Sequence, residues 1–137
     1  MNITELIEKE AANSPLHPAV IFPKNENFSS YTYKEFIRKS SYLSYAFQKS
    51  GIKKGNRVLF FVKPSLHFSA IAFSLFKLGA IPVFIDPGMG ISNLLKCVEK
   101  TNPIFFISEK KGILLKWIFR KVFSSIEKTF CTKNFFL

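Results

Sequence analysis

The sequence predicts an α/β fold: a mostly parallel sheet with helices on both faces, preceded by a short helix and a β-hairpin. The punctuation of the chain carries this reading. Arg57 to Val62 is, after its first residue, an unbroken apolar run of strand length. Such runs are typical of strands buried on both faces of a parallel sheet. An apolar helical pattern follows, then a second short run, Ile81 to Ile85, closed by Asp86-Pro87-Gly88-Met89-Gly90. The alternation repeats downstream, and strand-helix-strand order implies right-handed crossovers.

The elements follow in order. Asn2 to Asn13 carries Ile3, Leu6, Ile7 and Ala11, the spacing of a short amphipathic helix that stops before Pro15. Ala19 to Phe22 reads as a strand, Pro23 to Asn27 as a turn and Phe28 to Tyr31 as the returning strand. Thr32-Tyr33-Lys34-Glu35 is a capping box, in which hydroxyl and carboxylate satisfy free amides at a helix entrance. That helix runs to about Ser50, with Phe36, Tyr42, Leu43 and Phe47 as its apolar stripe and Gly51 at its C-cap. Ser65 caps the helix that runs through Leu78, and Ser92 or a neighbour opens another that ends near Lys100. Ile104 to Ile107 is a third parallel strand, Gly112 to Phe123 a further helix, and Lys128 to Cys131 a candidate fourth strand. No repeat, low-complexity tract or linker interrupts residues 1–137, so a single unit is expected.

Composition bounds the function classes. With 47% hydrophobic residues the chain can build a core. Its net charge of +11 is compatible with nucleic acid, anionic lipid or a polyanion. Lysine supplies 17 of the 20 basic residues, however, and the chain also has 17 Phe. Joint Lys and Phe excess is what an AT-rich coding sequence produces without selection for binding, and no RNP, helix-turn-helix or zinc-finger signature points to nucleic acid. Cys97 and Cys131 stand in no metal or disulfide pattern, which suits a reducing, cytoplasmic setting. The acidic, amphipathic N-terminus is unlike a signal peptide. Ser65 to Ile85 imitates a membrane span, but it breaks at Lys77-Leu78-Gly79-Ala80 and Pro82, so a soluble chain is expected.

Chemistry-bearing residues are few. Asp86-Pro87-Gly88-Met89-Gly90 follows a strand and precedes a helix, the place where open α/β sheets hold ligands. Asp86, Gly88 and Gly90 are therefore the candidate cofactor-binding residues, through glycine-exposed amides and a helix N-terminus. The turn matches neither dinucleotide nor Walker spacing, and its plainer reading is a tight turn. Asp86 can bond local backbone as readily as a substrate. His17 sits in a loop and His67 in a first helical turn, without partners at metal-ligand or nucleophile spacing. His67 reads as a satisfied, half-buried side chain. No catalytic or metal-binding residue is assigned.

The stretch 112–123 has two readings. Lys116, Arg120 and Lys121 fall on one side and Leu114, Trp117, Ile118 and Val122 on another. A surface helix with a solvated basic face is the commoner outcome, and a helix lying on an anionic membrane is the alternative.

Several segments together resemble the N-terminal part of an acyl-CoA synthetase of the AMP-binding (adenylate-forming) superfamily. They are Tyr31-Thr32-Tyr33-Lys34-Glu35, Gly51-Ile52-Lys53-Lys54-Gly55-Asn56-Arg57-Val58, Leu78-Gly79-Ala80-Ile81-Pro82-Val83, and Asn102-Pro103 before a strand. The Asp86–Gly90 turn is similar to a fatty-acid-CoA-ligase subgroup that includes olefin-pathway ligases. The resemblance covers residues 3–107 and continues more loosely beyond. Asn56 replaces the usual Asp of the family. The Ser/Thr/Gly-rich ATP loop ending in Pro-Lys-Gly has no counterpart within the 137 residues, nor does the C-terminal subdomain with its catalytic lysine.

The resemblance implies an incomplete N-terminal subdomain of the ligase fold. It implies ATP, Mg and CoA as cofactors of the full-length enzyme and none for this piece. The chain is expected not to adenylate alone, whether it is a gene remnant or half of a split enzyme completed by a partner. A severed sheet is expected to leave apolar surface uncovered. The competing readings are a stand-alone anion-binding α/β module and a peripheral membrane protein held by the 112–123 helix.

Overall fold

The computed structural model describes residues 3–134. These gather into two compact units that interleave along the sequence. Residues 3–53 and 63–79 form the first, and 54–62 and 80–134 the second. No single cut separates them, which is why no linker composition marks a boundary.

In the first unit, α1 (Ile3–Asn13) precedes an antiparallel hairpin of β1 (Pro18–Lys24) and β2 (Asn27–Thr32). The turn between the strands uses Asn25 at φ 54°, a conformation Asn tolerates better than most residues. β2 runs directly into α2 (Tyr33–Lys49), whose entrance is the capping box expected from the sequence. Thr32 Oγ1 accepts from the Glu35 amide at 3.3 Å, and Glu35 Oε2 accepts from the Thr32 amide at 2.9 Å. The next amides, of Tyr33 and Lys34, donate to the His17 and Pro15 carbonyls of the loop before β1. The first turn of α2 is thus satisfied by side chain and backbone together. Ser65 Oγ performs the same service for α3 (Leu66–Lys77), accepting from the Phe68 amide at 3.0 Å.

The buried face of α2 is Phe36, Ser40, Leu43, Ser44 and Phe47. Tyr42, assigned to this stripe from sequence, is instead 69% exposed. The spacing 36, 40, 43, 47 closes the arc without it, and small serines fill the intervening positions. Ser40 Oγ returns its proton to the Ile37 carbonyl, so the buried hydroxyl is satisfied. Likewise Ile3 and Leu6 of α1 face outward, while Thr4 is buried. Phe36 meets Phe73 of α3 at a ring separation of 4.9 Å. Lys77, the charge that interrupts the apolar stretch, pairs with Glu8 of α1 and donates to Ser41 Oγ of α2.

In the second unit, β3 (Arg57–Phe61), β4 (Ile81–Phe84), β5 (Phe105–Ser108) and β6 (Lys128–Cys131) form one sheet in the order β4-β3-β5-β6. Every pair is parallel, and Leu59 stands opposite both Val83 and Phe106. The fourth strand spans the residues expected. One face of the sheet carries Leu59 and Phe106, packed with Ile85, Leu94, Val98, Phe123 and Ile126. Leu94 and Val98 come from α4 (Ile91–Thr101), and Leu115 of α5 (Lys110–Ile118) joins the same cluster. On the opposite face Val58, Phe60, Phe105 and Ile107 are buried as well. The two central strands, β3 and β5, are therefore buried on both sides, as their continuous apolar sequence requires.

The helix expected over 112–123 is shorter at its end. It begins at Lys110 and stops at Ile118, because Phe119 adopts φ −105° and ψ 45°, outside the helical region. The chain then turns, which brings Phe123 and Ile126 into the core beneath the sheet face. Among the described residues no helix is long and apolar enough to cross a membrane.

Candidate functional site

The turn after β4 is built from its own backbone. Ile85 is buried and anchors the strand end, whereas Asp86 is exposed. Asp86 Oδ1 accepts from the Gly88 amide at 2.8 Å, and the Asp86 carbonyl accepts from the Met89 amide at 3.2 Å. These bonds close a 3-10 turn over Pro87–Met89. Asn93 Nδ2 donates to the Met89 carbonyl and ties the turn to the first turn of α4. Gly90, at φ 83° and ψ 152°, is the N-cap of α4 and lies in a region that L side chains avoid.

The candidate residues are thus brought together, with Asp86 in the local role. Its carboxylate occupies the Gly88 amide that an incoming anion would need. The α4 entrance has no side-chain cap, so its first amides keep the partial positive charge of a helix N-terminus. The neighbouring Asp86 carboxylate opposes an anion there. The turn therefore does not fit a triphosphate as it stands. Among the described residues no group of three His, Cys, Asp or Glu side chains could hold a metal ion. Cys97 and Cys131 are free and half-buried.

A second cluster lies in the first unit, and periodicity gave no sign of it. The Tyr31 hydroxyl and His67 Nδ1 are hydrogen-bonded at 3.0 Å, joining the end of β2 to the first turn of α3. Lys39 Nζ stands 5.1 Å from the centre of the Tyr31 ring. Burial, then the Lys39 charge, holds His67 below its ordinary 6.5. Burial and the nearby Glu35 carboxylate raise the Tyr31 phenol. His67 is the satisfied, part-buried side chain expected, and its partner lies 36 positions away.

The sign of its pH dependence follows. A depressed histidine disfavours protonation in the fold, so its contribution is complete above 6.5 and is lost as pH falls through the lower folded value. Urea unfolding at about pH 7.5 and about pH 5.5 is expected to give a lower midpoint at the acid end, with His67→Gln reducing that difference. An unchanged difference in the variant would remove His67 from the account. Glu35, lowered chiefly by its bond to the Thr32 amide, acts in a separate window below its ordinary 4.5.

Comparison with known proteins gives these features a context. The family model for AMP-binding enzymes matches residues 7–127. The chain is 36% identical over 89 residues to an olefin beta-lactone synthetase of Stenotrophomonas maltophilia, which spans 62% of this chain and 16% of that protein. A protein of the same name from Xanthomonas campestris is 34% identical over 90 residues, again 16% of its length. Among solved structures, the N-terminal domain of FACL13 from Mycobacterium tuberculosis superposes over 98% of this chain and 34% of its own, with TM-score 0.83 and 18% identity. A long-chain-fatty-acid-CoA ligase from Archaeoglobus fulgidus gives TM-score 0.80 at 18% identity, covering 98% of this chain and 28% of its own.

Proposed function

Because the chain belongs to the AMP-binding enzyme family, we propose that it is the N-terminal portion of an ATP-dependent ligase that activates a fatty acid as its acyl-adenylate and passes it to CoA. The observation that carries this is the family match over residues 7–127, on a parallel sheet of the order β4-β3-β5-β6. The names of the two olefin beta-lactone synthetases and of the Archaeoglobus fatty-acid-CoA ligase favour an aliphatic acid as substrate. ATP, Mg and CoA are the cofactors of the complete enzyme on this reading. The cytoplasm is its proposed location, which the free Cys97 and Cys131 suit.

We further propose that these 137 residues do not adenylate by themselves. Charge developing on transferred phosphate must be met by preorganised donors. Among the described residues, the glycine turn after β4 commits its Gly88 amide to Asp86. The chain spans 16% of its curated relatives, so the remaining groups would come from the rest of such a ligase, attached or supplied in trans. The same Asp86 contact ranks the stand-alone anion-binding reading second.

Pyrophosphate exchange tests this. The purified 137-residue chain with ATP, Mg and fatty acids is expected to remain at the blank rate, and robust exchange would overturn the proposed inactivity. Joined to the remainder of its ligase, it is expected to exchange with fatty acids. Exchange with aryl or amino acids alone would refute the substrate class. ATP binding by the isolated chain at micromolar strength would instead favour the anion-binding module.

A further inference from the structure

The outward face of α5 is apolar in its middle and basic at both ends. Leu114, Trp117 and Ile118 are 58%, 63% and 57% exposed. Their spacing places them along one stripe of the helix. Lys110 and Lys111, both exposed, stand one turn earlier on that stripe. Arg120 and Lys121, also exposed, follow its end. The Arg120 guanidinium lies 5.4 Å from the centre of the Trp117 ring.

Lys116, which the sequence assigned to the solvated basic face, is turned inward and donates to Thr129 Oγ1 of β6 at 2.7 Å. Burial pushes its ammonium down. The exposed surface therefore keeps Arg120 and Lys121 of the expected basic face, loses Lys116 and adds the large apolar side chains of Leu114, Trp117 and Ile118. Residues 109–137 carry seven basic and two acidic side chains, so the surroundings of the stripe are positive.

We propose that this stripe seats the protein on an anionic lipid surface, with Leu114, Trp117 and Ile118 entering the interface and Lys110, Lys111, Arg120 and Lys121 meeting headgroup charge. Charge complementarity selects this occupant. An apolar centre flanked by cations matches a bilayer interface, where acyl chains lie beneath a layer of negative headgroups. An indole stacked with a guanidinium is suited to that depth, since its body is apolar and its edge polar. The proposal uses none of the residues of the Asp86 turn, and within a ligase it requires that the rest of the enzyme leave this stripe uncovered.

Trp117 is the only tryptophan, so its fluorescence reports on this surface alone. Mixed phosphatidylserine/phosphatidylcholine vesicles are expected to shift its emission to the blue, and brominated lipids to quench it. Pure phosphatidylcholine vesicles are expected to do neither. Removing both Arg120 and Lys121 as glutamine is expected to weaken binding roughly 25-fold, at about fivefold for each charge near the surface. Removing Lys24 and Lys100 in the same way, an equal charge change outside residues 110–121, is expected to weaken binding clearly less than the Arg120/Lys121 change. Leu114→Ser with Ile118→Ser is expected to abolish the quenching while circular dichroism is unchanged.

Vesicle binding that leaves Trp117 emission unmoved would overturn the proposal, since the contact would then be general attraction to a basic protein. Equal loss from the Lys24/Lys100 variant would do the same. A blue shift without lipid that grows with protein concentration would assign the stripe to a second copy instead.

Discussion

Phe106→Ala is expected to lower the stability of the chain by about 3–5 kcal/mol, the range for removing a fully buried aromatic side chain. Phe106 is 1% exposed and sits in β5, between β3 and β6, where it faces Leu59 and Thr129 in register. Its ring lies 5.7 Å from that of Phe123, itself 2% exposed, and both join Leu94 and Val98 from α4. Strand, helix and the turn after α5 therefore converge on one side chain. Neighbours held by two flanking strands cannot collapse into the space left behind, so both the transfer and the cavity contribution are felt. Against a typical total of about 5–15 kcal/mol this is a large share. Urea unfolding should show a lower midpoint with little change in slope. Phe106→Leu, which keeps most of the volume, should lose a smaller part. A loss below about 1 kcal/mol for the alanine variant would mean that this face of the sheet is not the core described.

What the sequence disclosed and what it withheld divide along the range of the interactions. The strands at Arg57, Ile81 and Phe105 were legible because each is an apolar run bounded by Gly, Pro or Asn. The capping box was legible because Thr32 and Glu35 lie three residues apart and make their bonds locally. The Asp86 turn was legible as a turn, but local sequence could not decide where the carboxylate goes. The Gly88 contact decides it. Pairings across the chain left no periodic trace. Lys77 finds Glu8 at a separation of 69 positions, and Tyr31 finds His67 at 36. The misassigned positions share a cause. Helical spacing gives a stripe but not its edges, so Tyr42 falls within the α2 stripe by spacing and outside it in the fold. The same spacing carries a helix to Phe123, where the fold has a turn. The inward position of Lys116 depends on Thr129, thirteen residues later on another element.

Gly112→Ala separates propensity from packing, because the two give opposite signs. Alanine is favoured over glycine by about 1 kcal/mol in a helix interior and by less in the first turn, where Gly112 stands, so α5 taken alone should gain modestly. The site reverses this. A Cβ on Gly112 would stand 1.9 Å from Ser108 Oγ, 2.8 Å from Phe61 Cδ1 and 3.1 Å from Phe106 Cζ. The Ser108 hydroxyl can turn away only by giving up its bond to the Glu109 carbonyl, and Ser108 is fully buried. Phe61 is half-buried and can yield in part, whereas Phe106 is enclosed. Overpacking of this kind typically costs about 1–3 kcal/mol, which exceeds the propensity gain. Gly112→Ala is therefore expected to lower the melting temperature by several degrees, since about 1 kcal/mol corresponds to roughly 2–8 °C in domains of this order of size. The variant that also carries Ser108→Ala loses the worst contact and is expected to recover most of the deficit, leaving the strain against Phe61. Such coupling is expected of side chains that share one space, and a double-mutant cycle on the melting data measures it. A higher melting temperature for Gly112→Ala alone would show that α5 does not approach the sheet at this glycine.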